Sequence, residues 1–238
     1  MVPIARLCGL AAGLLVASAF AESLPVGEDL EALGWQHLEL AGEPANIFTG
    51  RLDGIIEVVS IESISALYRA VAINLGETPC LAWSWRVDEA MPANDLRHRD
   101  TDDRPISVYV AFPYDAERAS FWERLMRVFV EITHGSDAPG RAIAYTWGGI
   151  GQRGEIQPSP YLQSAGAIVL LRPGNAQIGS WLDEVVDVRA DYERVFEDSA
   201  ADPMQVALLA DTDNTKSRAH AFVRDLRFSD ECLDRPPE

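Results

Sequence analysis

The chain has 238 residues and a formal net charge of -17, from 37 Asp and Glu against 20 Lys and Arg. That balance repels phosphate backbones and anionic lipid, which excludes a nucleic-acid binder working through a basic surface. A chain of this length suits one well-buried domain, and a hydrophobic content of 47% supplies the core for it.

The first 21 residues read as a secretory signal peptide. Arg6 precedes an apolar run from Leu7 to Phe20, and Ala19 and Ala21 form the A-x-A arrangement that is cut on its carboxyl side. The run is shorter than the roughly 20 apolar residues a bilayer core requires, which argues against an anchor. Cleavage after Ala21 leaves residues 22–238, removes Arg6 alone among the charged residues, and moves the net charge from -17 to -18. The expected location is the periplasm or the exterior, and no later stretch reads as membrane-spanning.

Short runs rich in β-branched and aromatic residues follow, separated by Gly, Pro, Asn and Asp. They predict strands at 35–40, 46–51, 55–61, 66–74, 80–87, 105–112, 141–147, 166–172, 181–189, 204–210 and 219–228. In "LAWSWRV" Trp83, Trp85 and Val87 share one face and Ser84 and Arg86 the other. In "SVYVAF" Val108, Val110 and Phe112 stand opposite Tyr109. Between these and the next strand, "DAERASFWERLMRVFVEI" places Phe121, Leu125, Phe129 and Ile132 at helical spacing. "WLDEVVDVRADYERVF" favours a strand through Val188, then a short helical turn from Asp191 to Phe196. With no repeat and no linker, these elements predict a mainly all-β single domain over 22–238. It is an antiparallel β-sandwich of jelly-roll type with one inserted amphipathic helix.

The expected mature chain keeps Cys80 and Cys232, a pair that an oxidising compartment can bridge or leave as two thiols. The four histidines lack zinc-ligand spacing. Asp211, Asp213 and Asn214 in "DTDNT" offer half of a calcium site, since calcium takes six to eight hard oxygens, yet the same residues also make self-capping Asx-turns. They become a site only if another loop brings oxygens or a base to meet them.

The succession "LAWSWRV", "DD" before "VYVAF", "IAYTW", "GSWLDEVVDVRADYERVF", "DTDNT" and "AFVRDLRF" resembles the bacterial family called domain of unknown function 3047, over about residues 35–228. One departure stands out: where family members often carry a basic residue just before the V-Y-V strand, this chain has Ser107, with Arg104 three positions earlier. The resemblance implies an exported β-sandwich and no established activity.

Chemistry therefore rests on the residues. Glycoside hydrolysis takes two carboxylates across a sugar bond, and Asp102, Asp103, Glu155, Glu184 and Asp191 are available for it. A polysaccharide lyase would use a tyrosine base and a cation, for which Tyr109, Tyr145 and Arg86 are candidates. No G-x-S-x-G element or phosphate-binding loop is present. The expectation is an exported ligand-binding protein for a carbohydrate or cell-envelope glycan, with Arg86, Tyr109, Tyr145 and Trp147 on one binding face. Calcium is a possible cofactor through Asp211, Asp213 and Asn214, and the catalytic candidates are Asp102 and Asp103. The alternatives are a glycoside hydrolase or lyase on the same scaffold, and a structural partner in an envelope complex.

Overall fold

The computed structural model describes residues 21–117, 119, 139–175 and 177–232. In chain order its elements are β1 (Ala21–Ser23), β2 (Trp35–Glu39), β3 (Ile47–Gly50), β4 (Ile55–Ile61), β5 (Ile64–Ala70), β6 (Cys80–Val87) and β7 (Arg104–Phe112). Then come β8 (Arg141–Trp147), β9 (Ile156–Ser159), β10 (Gln163–Arg172), β11 (Leu182–Asp187), α1 (Val188–Phe196), β12 (Gln205–Asp211) and β13 (Arg218–Ser229). They form two sheets. The first runs β11-β6-β13-β4-β3, with β1 beside β13, and the second runs β2-β5-β12-β7-β8-β10-β9.

Period two decides which side of each strand is buried. Trp83, Trp85 and Val87 of β6 face Val108, Val110 and Phe112 of β7, Tyr145 and Trp147 of β8, and Val206 and Leu208 of β12 in one core. Each large apolar side chain fully buried there stabilises the fold by about 1.5 to 3 kcal/mol. Trp83 meets Trp85 and Tyr145 at centroid distances of 5.3 and 5.8 Å, and Trp85 meets Trp147 at 5.5 Å, near the edge-to-face spacings that ring quadrupoles favour.

The expected sandwich is present, and a strand overlaps every predicted one. Among the described strands one pair departs from the antiparallel rule: β10 runs parallel to β8, from Gly166 opposite Ala142 to Arg172 opposite Trp147. The cause is β9, which lies outside β10 and antiparallel to it, so β10 returns into the slot between β8 and β9. α1 opens three residues before the expected turn because Asp187 caps it, its side chain accepting from the Ala190 amide at 2.8 Å. The helix expected over 115–132 falls almost wholly outside the described residues, as does the signal peptide up to residue 20.

Cys80 is bonded to Cys232 with Cα atoms 5.2 Å apart, tying the C-terminal tail to the start of β6. Beside it β1 pairs Glu22 with Phe228 and Ser23 with Arg227, so a chain beginning at Glu22 would still be zipped to β13.

Candidate functional site

The alternation that buries Val108 and Val110 turns Ser107 and Tyr109 to the outer face of the second sheet. Strand register carries that face across six strands, where Gln36, Tyr68, Ala207, Tyr109, Ala144 and Ile168 stand opposite one another in one row. The loop between β6 and β7 closes one half of the face by laying Leu96 over Ala144, Ile168 and Leu170. On the other half Tyr68, Ala207, Tyr109 and Leu209 keep part of their surface in solvent. The result is an open groove, a part-exposed strip of sheet walled on one side by the loop. Tyr68 and Tyr109 are two strands apart, about 10 Å by strand spacing, with Ala207 between them. Both hydroxyls are held: Tyr68 donates to Gln36 Oε1 at 2.5 Å, and Tyr109 accepts from Arg104 Nη2 at 2.8 Å.

One end of the groove is acidic. β7 begins at Arg104 and β12 ends at Asp211, which are register partners. Arg104 Nη1 donates to Asp102 Oδ2 at 3.1 Å and to Asp211 Oδ2 at 3.2 Å. Tyr161, from the β9–β10 turn, donates to Asp102 Oδ1 at 3.3 Å, and the Arg99 guanidinium lies 4.9 Å from its ring centroid. Asp103 turns the other way and accepts from the amides of Asn214 and Thr215 at 3.1 and 2.9 Å and from the Thr215 hydroxyl at 2.5 Å.

Electrostatics at this end are strained. Asp102, Asp103 and Asp211 are each 1% exposed. Burial pushes the Asp211 carboxyl up to about 8 against the pull of Arg104, with Asp102, Asp213 and Asp103 adding repulsion. Burial likewise raises Asp102 despite Arg104. Asp211 Oδ1 and Arg104 Nε are buried with no hydrogen-bond partner among the described residues. Asp103, Asp211 and Asp213 can each bring a carboxylate oxygen within 4.8 Å of the others, so this acidic triad can hold a metal ion.

The structure thus brings Asp102, Asp103, Asp211 and Asp213 together, and it supplies the second loop that "DTDNT" required. Asn214 joins through its backbone amide. The expected binding face does not form. Tyr109 lies on the groove, but Tyr145 and Trp147 are fully buried because odd-numbered positions of β8 point into the core. Trp147 packs on Trp85, and the Tyr145 hydroxyl donates to Asp191 Oδ2 at 3.0 Å. Arg86 sits on the outer face of the other sheet, 4.3 Å over the Phe222 ring and paired with Asp88 at 2.8 Å.

The other nominated carboxylates serve structure. Glu184 is buried between Arg153, at 2.8 Å, Arg172 and the Trp85 indole N–H. Asp191 is held by Tyr145 and Arg194. Glu155 accepts from the Gln152 amide and from Gln157. The residues that sequence reasoning did not place here are Arg104, Tyr161 and Tyr68. For Tyr68 a signal existed in "SALYRA", where Ala66, Tyr68 and Ala70 alternate with Leu67.

Comparison with known proteins gives a family and distant shape likenesses. A family model described as Protein of unknown function (DUF3047) matches residues 33–227. No curated protein matches the chain by sequence. Among solved structures, a family 12 xyloglucanase from Bacillus licheniformis in complex with ligand aligns over 90% of this chain and 99% of its own, at 7% identity and a TM-score of 0.45. The xyloglucanase domain of a type three effector from Sinorhizobium fredii, in complex with cellobiose, aligns over 82% of this chain and 92% of its own, at 7% identity and 0.44. A family 29 carbohydrate binding module covers 90% of both chains at 8% identity and 0.38. Likenesses this remote carry no argument about ligand or activity.

Proposed function

We infer that this chain, which belongs to the DUF3047 family of proteins of unknown function, is exported and binds a glycan in the groove on the outer face of its second sheet. The observation that carries the reading is the in-register pair Tyr68 and Tyr109, part-exposed on one face with only Ala207 between them. Sugar rings present apolar C–H faces to aromatic rings and hydroxyls to polar groups, and a spacing of about 10 Å spans two pyranose rings. Small side chains on the floor let a chain approach, and hydroxyls anchored by Gln36 and Arg104 fix the rings before a ligand arrives. At the acidic end, three oxygen donors without His or Cys match calcium, which would add a fixed positive charge beside the groove.

The enzyme reading has one supporting observation. Asp102 and Asp211 share Arg104 Nη1, and both carboxyls are raised, as a general acid requires. Their near-complete burial keeps a glycosidic bond away from them, so binding is favoured.

A glycan array on residues 22–238, wild type beside Tyr68→Ala, tests the proposal, with a reducing-sugar assay on every hit. The expected result is binding without turnover, weakened about tenfold or more by Tyr68→Ala. Absence of any hit would remove the glycan reading, and sugar release would replace binding with hydrolysis.

A further inference from the structure

Among the described residues, the loop that walls the groove is fastened to the β12–β13 turn by the side chain of Asp103. Besides the two amides and the Thr215 hydroxyl, Asp103 accepts from Ser217 Oγ at 3.4 Å. Around this fastening the charge does not balance. Asp102, Asp103 and Asp211 are buried carboxyls, and Arg104 is the one cation that forms an ion pair with any of them among the described residues. Buried charges in folded proteins are paired, neutralised or bound to metal. Asp211 accepts at Oδ2 from Arg104, while its Oδ1 is buried with no partner among the described residues. Asp213, the third carboxylate of the group, is half-buried, with no hydrogen bond or ion pair to another described residue.

We propose that Asp103, Asp211 and Asp213 hold one calcium ion, and that the ion acts as a removable staple locking the groove wall onto the β12–β13 turn. The inference rests on the calcium reading of the acidic end and is independent of which ligand the groove takes. Three hard carboxylate donors leave further positions to backbone carbonyls and water, an arrangement calcium's flexible coordination accepts and magnesium's strict octahedron does not. With the ion in place Asp103 is held from both sides, so the Asn214 and Thr215 amides remain closed and the 88–103 loop keeps Leu96 on the sheet. Without it the carboxylates repel and the loop opens. An affinity of about 10⁻⁴ to 10⁻³ M, the range of extracellular calcium modules, would leave the staple loaded outside the cell and empty in the cytoplasm.

The test compares residues 22–238, wild type and Asp213→Ala, in millimolar calcium, in magnesium and in chelator. Asp213→Ala removes one oxygen donor, and Asp213 makes no hydrogen bond or ion pair with another described residue that the change would break. Two readouts are taken: the melting temperature, and hydrogen exchange at the Asn214 and Thr215 amides. Wild type is expected to gain roughly 5 °C in saturating calcium. Exchange at both amides should slow about tenfold or more. Magnesium should do less, and Asp213→Ala should lose both responses while melting in chelator no lower than wild type.

A wild type indifferent to calcium overturns the staple. So does an Asp213→Ala variant that keeps the response, or a thermal shift that leaves the two amides unprotected. A protein that binds a glycan on the array but shows neither calcium response overturns the staple and leaves the glycan reading standing. A full calcium response with no glycan bound does the reverse.

Discussion

Arg104 donates to Asp102, Asp211 and Tyr109 from a position only 4% exposed. Replacing it with Met strands two buried carboxylates, and breaking a buried pair in this way costs about 3 to 5 kcal/mol, readable by urea unfolding. Arg104→Lys should recover part of the loss, because an ammonium keeps the charge but lacks the fork that reaches three partners. A loss below about 1 kcal/mol for Arg104→Met would show that these carboxyls are already neutral in the fold. Asp191 supplies a pH test away from the acidic end. Burial pushes its carboxyl above the usual range, although Tyr145 and Arg194 both pull it down. The folded state therefore holds this proton more tightly than the unfolded chain does. Its contribution to stability is full below the ordinary value of about 4 and is lost as pH rises through the folded value. Asp191→Asn should flatten that part of the stability curve; an unchanged slope would show that ionising Asp191 costs the fold nothing.

At the scale of elements, the disulfide closes a loop 152 residues long between the start of β6 and the tail. Chain entropy assigns such a closure up to about 5 kcal/mol, so Cys232→Ser should lower the urea midpoint substantially, and reduction of wild type should reproduce the effect. A midpoint unchanged by both would mean that β1, β6 and β13 hold that end unaided. Strands were legible in the sequence where alternation met a one-sided core, as in "LAWSWRV" and "SVYVAF". β9 was not, because Pro158 interrupts its pattern; the proline is tolerated because β9 is an edge strand. The parallel β8–β10 pair was not legible either, since it follows from the order in which strands fill the sheet. In β8 six of seven residues are buried, so "AIAYTW" shows no polar face from which to choose the side of Tyr145 and Trp147.

Across the whole molecule, the site depends on pairs that lie far apart in the chain. Arg104 meets Asp211 across 107 residues and Asp103 meets Thr215 across 112, distances at which spacing rules are silent. The carboxylates themselves were visible in "DTDDR" and "DTDNT"; their convergence was a product of β7 and β12 being neighbours. Export is a proposal of the same scale, and it predicts that the protein recovered outside the cytoplasm begins at Glu22. A mature chain still beginning at Met1 would contradict it. The groove itself is tested most directly by titrating the best glycan from the array into wild type and Ala207→Trp. The substitution fills the floor between Tyr68 and Tyr109 at a residue that takes no part in the hydrogen bonds of either hydroxyl. Affinity is expected to fall at least tenfold with the melting temperature and the calcium response unchanged. A variant that binds the glycan as tightly as wild type would place the ligand elsewhere and contradict the account.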